Sequence, residues 1–199
     1  MSRGTESDGS ARIVAVVLEL LNSEGYEAVQ LRTVAARAHV SLTRIYRHFP
    51  TRDELIIAAL AQWMDENAYA AITPPAADAS VRDSITQVLR CVFEPWERNP
   101  KMLEAYHFAR TGPGGRRLDE QGLGVVLPVA EPVLRDLDPT YLQDLVLILG
   151  NMALALIGRF ATGTLEITEI LPTLERTVYR LTADNAALTA RKSDLFPPS

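Results

Sequence analysis

The chain has 199 residues, 47% of them hydrophobic, which is enough to bury one substantial core or two smaller ones. Its single cysteine, Cys91, excludes an intramolecular disulfide framework and a four-cysteine zinc site, which favours a reducing compartment such as the cytoplasm. The formal net charge of −5 argues weakly against a nucleic-acid partner, yet five arginines and no acidic residue lie between Ala28 and Arg52, which predicts a local basic patch.

Helical periodicity runs through the whole sequence and predicts an all-α fold of about nine helices, because no segment alternates with the period of a strand. Residues 1–9 are polar and contain acidic side chains. They lack the pattern of a secretory signal and predict a disordered arm. A first amphipathic helix is predicted from Ser10 to Ser23, where Gly25 supplies the expected stop.

Two short helices follow and predict a helix-turn-helix DNA-binding domain within residues 10–55. The first carries an apolar stripe that includes Val34, and the second places Ile45 and Phe49 on its inner side. His39 stands in the turn between them, where we expect a left-handed backbone at some energetic cost.

A long fourth helix is predicted from Thr51 to about Ile72, because Thr51 and Glu54 have the spacing of a capping box. The proline pair that begins at Pro74 ends this helix and marks the boundary to the rest of the chain. We interpret residues 56–75 as a helix that links two functional regions.

Residues 76–185 predict a helical domain for ligand binding and dimerisation. We expect its helices at roughly 80–98, 101–110, 116–136, 139–162 and 166–182. Pro128 and Pro132 are expected to kink or split the third of these helices. The uncharged apolar stretch Leu145–Gly158 is too short to cross a membrane, which needs about 20 residues. Residues 186–199 are expected to form a flexible tail.

The last two helices predict a dimer interface. One carries small residues that allow close helix approach, and the other carries an apolar stripe that includes Ile170 and Leu174. Two such helices from each of two subunits can form a four-helix bundle, and packing in a monomeric core is the alternative. The small residues are Gly150, Ala153, Ala155 and Gly158.

The second short helix and its flanks supply the candidate DNA-contacting residues. Arg44 can make a bidentate contact to guanine O6 and N7, whereas Leu42 can only meet a thymine methyl group or a sugar. Ser41 is the expected helix cap. For Arg37 and Arg47 the sequence leaves two roles open, DNA contact and local ion pairing. The candidate DNA contacts, which include groups on the flank that can donate to phosphates, are Gln30, Arg32, Ser41, Leu42, Thr43, Arg44, Tyr46, His48 and Arg52.

Apolar and aromatic side chains around the Asn99-Pro100 break predict a pocket for a small hydrophobic ligand. Trp96 and Tyr106 are the preferred residues, because each joins a polar group to an apolar body. Ordinary core packing is the alternative for each of them. The candidate ligand-binding set is Phe93, Trp96, Met102, Tyr106, Phe108 and Met152.

The segment around the two short helices resembles the N-terminal signature of the TetR family of bacterial repressors. The matching residues are Gly25-Tyr26, Val34-Ala35, Arg37-Ala38, Val40-Ser41 and Tyr46-Arg47-His48-Phe49-Pro50. The resemblance implies a homodimer, a palindromic double-stranded DNA operator and release of DNA when a ligand binds. Three departures leave the operator sequence open: His39 replaces a common glycine, Gln30 a hydroxyl cap, and Thr43-Arg44 a glycine with a small residue.

A second resemblance concerns two stretches, Gly25–Ala38 and Glu97–Arg110. They are similar to the KstR-type repressors of actinobacterial steroid catabolism, a group within the same family. This resemblance implies that the effector is a bulky hydrophobic molecule, such as a steroid, or a coenzyme A thioester.

Neither a metal site nor catalysis is predicted. His39, His48 and His107 lack the spacing of metal ligands, and Cys91 with His107 has no activating third group. We therefore expect a ligand-responsive repressor without a cofactor. The alternatives are an activator or constitutive DNA-binding protein without an effector, and a small helical carrier or enzyme with a vestigial helix-turn-helix.

Overall fold

The computed structural model describes residues 3–76, 78–135 and 137–183, and within these residues it contains helices and no β-strand. This confirms the all-α prediction. The predicted tail at 186–199 lies outside the described residues. The α-helices of the described part are α1 (Arg3–Ser23), α2 (Leu31–Ala38), α3 (Leu42–His48), α4 (Arg52–Trp63), α5 (Val81–Arg98), α6 (Pro100–Thr111), α7 (Arg116–Leu134), α8 (Pro139–Ala161) and α9 (Ile170–Leu181).

Three shorter segments join these helices. A 3-10 turn at Tyr26–Ala28 connects α1 to α2, and a second at Ile167–Glu169 leads into α9. A π-helical segment, Met64–Tyr69, extends α4.

The first three helices form one packed unit at the N-terminus. α1 contacts α2, α3 and α4, and the side chains of Ile13, Leu20, Val34 and Ile45 between them are fully buried. His39 has φ 51° and ψ 45°, which confirms the left-handed turn between α2 and α3. The inner faces of α2 and α3 are therefore locked to α1.

The start of α1 differs from the prediction. The helix begins at Arg3 and not at Ser10, so residues 3–9 continue α1 instead of forming the predicted arm.

The start of α4 agrees with the prediction, but its end does not. The Thr51 hydroxyl accepts a hydrogen bond from the Glu54 amide at 3.1 Å and caps the helix. The α-helix then ends at Trp63, where the sequence predicts a single helix to Ile72.

The transition to the π-helical segment is tied to α7 by one side chain. Nε2 of Gln121 donates to the Ala61 carbonyl at 3.0 Å and to Oδ1 of Asp65 at 2.6 Å. Asn67 also donates to the Trp63 carbonyl at 2.9 Å. These bonds satisfy polar groups where the helical pattern changes, and the two from Gln121 join residues 60 and 56 positions apart, which no local sequence signal encodes.

α7 contains both prolines, Pro128 and Pro132, within one continuous helix. Of the two expected outcomes, a kink or a split, the split does not occur. A proline leaves the carbonyl four residues earlier without its helical partner, and here those carbonyls belong to Gly124 and Pro128. Both residues are exposed, so water can bond to their carbonyl groups.

α6 connects the N-terminal unit to the C-terminal helices. It contacts α1, α4 and the 3-10 turn at Tyr26–Ala28, and also α5, α7 and α8. Lys101 at its start donates to the carbonyl of Ser23 at the end of α1. A single continuous core extends from Ile13 in α1 to Leu174 in α9 and includes Met102, Leu103 and Tyr106 of α6.

Candidate nucleic-acid interface and effector region

α3 has an inner face that anchors it to the core. Ile45 and Phe49 are buried, and Val40 and Leu42 are partly buried against the same core. Oγ of Ser41 accepts a hydrogen bond from the Arg44 amide at 3.2 Å, which confirms Ser41 as the helix cap. The orientation of the opposite face of α3 is thereby fixed.

The outer face of α3 presents Thr43, Tyr46 and Arg47 to solvent. Tyr46 is 50% exposed, so its side chain is open to solvent on this face. Thr43 and Arg47 are four residues apart and therefore share this face. His48 lies at the flank, half-buried, with its ring 6.3 Å from that of Phe49.

The two undecided arginines have different surroundings. Nη2 of Arg37 lies 2.6 Å from Oε1 of Glu24, so Arg37 forms a local ion pair between α2 and the end of α1. Arg47 is exposed on the face that carries Thr43. Its four-residue spacing from Thr43 is the sequence signal that could have added Arg47 to the candidate set.

The flank of the helix-turn-helix holds two further candidates. Gln30 and Arg32 are exposed at the N-terminal end of α2. Gln30 does not cap α2 with its side chain; its Nε2 donates to the Glu27 carbonyl at 3.0 Å. Arg32 is thus an exposed cation in the first turn of α2, which contacts α3.

Arg52, a further candidate DNA contact, makes structural contacts within the protein. Nε donates to the Val29 carbonyl at 2.5 Å, and Nη2 donates to the Tyr26 carbonyl at 2.7 Å. The guanidinium carbon also lies 4.5 Å from the centroid of the Tyr26 ring. These contacts fasten the 3-10 turn to the start of α4 and use two of the five N–H donors of the guanidinium.

Replacing Arg52 with alanine is expected to lower the free energy of unfolding by about 2–3 kcal/mol, because two carbonyls lose a charged donor and a cation–π contact is lost. Denaturant titration measures this change. Arg32→Ala is the matched control, with stability near that of the wild type. A stable Arg52→Ala variant whose DNA binding depends less on salt would contradict this structural role.

The two preferred ligand residues belong to a buried aromatic stack of Trp63, Trp96 and Tyr106. The ring centroids of Trp63 and Trp96 are 4.3 Å apart, and those of Trp96 and Tyr106 are 5.4 Å apart. All three side chains are at most 8% exposed. Phe93 and Met102 are buried in the same core, and the gap beside Phe93 and Trp96 has no room for a water molecule. These side chains pack against one another in the core.

The other two ligand candidates lie in different places. Phe108 is 39% exposed, and its ring centroid is 5.6 Å from that of Tyr26, so it faces the DNA-binding unit. Met152 lies between α8 and α9, where Thr177 donates to its sulfur at 3.1 Å. The six candidates therefore do not surround one site.

The Asp119 carboxylate of α7 accepts hydrogen bonds from two side chains of α6 at the edge of the aromatic stack. The Tyr106 hydroxyl donates to it at 2.8 Å, and Arg110 donates from Nε at 3.0 Å and from Nη2 at 2.8 Å. Burial, together with the Asp119 carboxylate, raises the pKa of Tyr106 well above its ordinary value, so the phenol stays a donor. This network joins α6 to α7.

An open cleft of about 480 Å³ lies between the π-helical segment and α5. Its lining is largely polar and charged, and the half-buried Cys91 takes part in it. None of the sequence-predicted ligand residues lines this cleft. Its lining residues are Asn67, Ala71, Asp83, Thr86, Gln87, Arg90, Cys91, Glu94, Pro95 and Arg98.

α8 presents an exposed apolar face. Leu147 is 62% exposed, Ile148 40% and Val146 39%, and Tyr179 of neighbouring α9 is 60% exposed. With 23 residues, α8 is long and apolar enough by composition to cross a membrane. The prediction of shortness concerned only the uncharged stretch Leu145–Gly158, which is shorter than the whole helix. Within the described ranges, no group of three or more potential metal ligands occurs.

Comparison with known families identifies both halves of the chain. The family described as "Bacterial regulatory proteins, tetR family" matches residues 13–59. The family described as "Tetracyclin repressor-like, C-terminal domain" matches residues 79–181, which is more than half of the chain.

Curated relatives agree with these matches. The "HTH-type transcriptional repressor KstR" of Rhodococcus jostii (strain RHA1) is 27% identical over 191 residues, which cover 94% of this chain and 88% of that protein. The "DNA-binding transcriptional repressor TetR" of Mycobacteroides abscessus is 47% identical over 51 residues, covering 26% of this chain and 27% of that protein.

A solved structure has the same fold. A TetR transcriptional regulator from Rhodococcus sp. RHA1 superposes with a TM-score of 0.70 at 18% identity, covering 90% of this chain and 99% of the other. The signature around α2 and α3, the two family matches and the fold agree. The chain belongs to the TetR family of bacterial transcriptional regulators and is a DNA-binding regulator, not an enzyme.

Proposed function

We propose that the protein is a cytoplasmic, ligand-responsive repressor that binds a palindromic operator as a homodimer. The outer face of α3 carries this proposal. It offers Thr43, Tyr46 and Arg47 to solvent, while its inner face is locked into the core. A helix fits the major groove only when one face is held by a scaffold and the other projects donors toward base edges.

Sequence reading is assigned to Arg44 and Thr43, and positioning on the phosphates to Arg32, Tyr46 and His48. Arg44 lies in the first turn of α3, from which a guanidinium can reach guanine O6 and N7. Phosphate contacts orient the protein and make binding dependent on salt, with a log–log slope of about −0.9 for each phosphate contacted.

Dimerisation is assigned to α8 and α9. Burial of the exposed apolar face around Leu147 against a second copy would remove it from water, which is the driving force for such an interface. Gly150 and Ala155 on α8 permit close approach of a partner helix. This use of α8 also accounts for its high apolar content without a membrane.

Effector response is assigned to the core around α6. We propose a small hydrophobic effector, because the KstR-type resemblance implies one and because Trp63, Trp96 and Tyr106 supply an apolar environment. Such a ligand would have to open this stack. Movement of α6 would then reach α1 and the 3-10 turn through Lys101 and Phe108. A ligand shifts the conformation only when it binds the two states with different affinity.

Arg44→Ala is expected to lose about 1–3 kcal/mol of specific binding and to relax preference at one base pair per half-site. Anisotropy titration on a duplex selected with the wild-type protein measures the loss. Arg98→Ala removes an exposed arginine from α5 and is the matched control, with unchanged binding. Wild-type affinity and base preference in Arg44→Ala would contradict the assignment.

The effector proposal is tested by tryptophan fluorescence, because both tryptophans of the chain lie in the stack. Steroids and acyl-coenzyme A thioesters are titrated against the free protein and against its complex with the selected duplex. A binding effector is expected to change the fluorescence, raise the thermal stability of the free protein and release DNA.

The packed stack favours a second candidate function, a constitutive DNA-binding protein without an effector. In that case no compound of the panel changes fluorescence or DNA affinity, while operator binding remains.

A further inference from the structure

Gly9 of α1 and Arg44 of α3 meet where the start of α1 passes the recognition helix. Gly9 is buried, and Arg44 is half-buried. A Cβ atom built on Gly9 would lie 2.9 Å from Cζ and 3.0 Å from Nε of Arg44. Real Cβ atoms are rarely that close to another atom, so the guanidinium occupies the space that any other residue at position 9 would need.

Gly9 is not required by the backbone. It lies inside α1, and its φ is not in the left-handed region, which among the described glycines is occupied by Gly25, Gly114 and Gly163. Glycine in a helix interior weakens the helix relative to alanine. The three heavy atoms nearest to a Cβ built on Gly9 all belong to Arg44, so the close approach of Arg44 gives a reason for glycine here.

The contact also affects the freedom of Arg44. An arginine side chain has several rotatable bonds and loses conformational entropy when DNA fixes it. A side chain that already lies along a rigid helix backbone loses less, and preorganisation of this kind strengthens binding. The backbone amide of Arg44 donates a hydrogen bond to Oγ of Ser41, and its guanidinium lies against Gly9. Both ends of this residue are therefore in contact with the protein.

We propose that Gly9 is a positioning residue for Arg44. The bare backbone at Gly9 sets the direction in which the guanidinium leaves α3, and thereby the base preference at the position that Arg44 reads. This inference rests on the proposed role of Arg44 in base reading. It assigns a part in specificity to α1, outside the helix-turn-helix itself.

The test uses four variants of the full-length chain: Gly9→Ala, Arg44→Ala, the double variant and Gly124→Ala. Gly124 lies inside α7 with nothing within 4 Å of a built Cβ, so it controls for the glycine-to-alanine change. Displacing the flexible end of Arg44 leaves the core untouched, and we expect Gly9→Ala to fold with a Tm at or above that of the wild type. Selection of duplexes from a random pool gives the base preference, and anisotropy titration gives the affinity.

Gly9→Ala is expected to bind the wild-type duplex about 3- to 10-fold more weakly and to lose preference at one base pair per half-site. In the Arg44→Ala background it should cause no further loss, and Gly124→Ala should match the wild type. Unchanged or tighter binding by Gly9→Ala, or an equal loss in both backgrounds, would overturn the positioning role. If Arg44→Ala itself keeps full base preference, the base-reading assignment fails, and this single variant separates that failure from the failure of the positioning role.

Discussion

Leu147→Glu is expected to convert the protein to a monomer and to weaken operator binding by about 100-fold or more. Leu147 is 62% exposed in the middle of the apolar face of α8. In a symmetric interface the substitution places two carboxylates in an apolar contact, and desolvation opposes their burial. A monomer engages only one half-site and loses the gain in affinity from simultaneous binding of two. Sedimentation and anisotropy titration measure the two effects.

Leu123→Glu is the matched control for this substitution. Leu123 is 50% exposed, but it lies on α7, outside the proposed interface. We expect this variant to remain a dimer and to bind the operator normally. A dimeric Leu147→Glu, or a monomeric Leu123→Glu, would mean that the subunits associate through another surface.

Trp96→Ala is expected to lower the free energy of unfolding by about 3–5 kcal/mol, because it removes the central ring of the aromatic stack and leaves a cavity. That is a large part of the total of about 5–15 kcal/mol typical of a domain. Trp96 is 4% exposed and touches both Trp63 and Tyr106. Denaturant unfolding measures the loss.

Two further variants sharpen the measurement on the stack. Trp96→Phe keeps an aromatic ring and should lose much less stability than Trp96→Ala. Tyr106→Phe removes only the hydroxyl that donates to Asp119, and Arg110 still satisfies that carboxylate, so we expect a loss of about 1 kcal/mol. If Trp96→Ala is as stable as the wild type, this region is a preformed cavity and not packed core.

Local signals in the sequence were sufficient for most of the helix starts. Ser41 and Thr51 cap α3 and α4 as predicted, because a cap depends on residues within one turn of the chain. Pro100 and Pro139 begin α6 and α8 close to the expected positions for the same reason. The family resemblance likewise rested on one continuous segment, and the comparisons confirm it.

Long-range contacts explain what the sequence could not predict. The π-helical segment after α4 is tied by Gln121, which is 60 positions from Ala61 along the chain. Arg52 donates to carbonyls 23 and 26 residues before it, so the residues adjacent to Arg52 in the sequence do not predict its structural role. Composition also cannot tell whether an aromatic cluster surrounds a cavity or fills it, and here the Trp96 ring packs against those of Trp63 and Tyr106 at tilts of 45° and 48°.

The central claim, a dimeric protein that reads DNA sequence through α3, is tested most directly by selecting bound duplexes from a random pool with the purified protein at moderate salt. The predicted result is an enriched inverted repeat whose half-sites are separated by about one helical turn, or a multiple of it, on the same side of the duplex. No enriched sequence, together with no retention of any duplex at low salt, would contradict the claim.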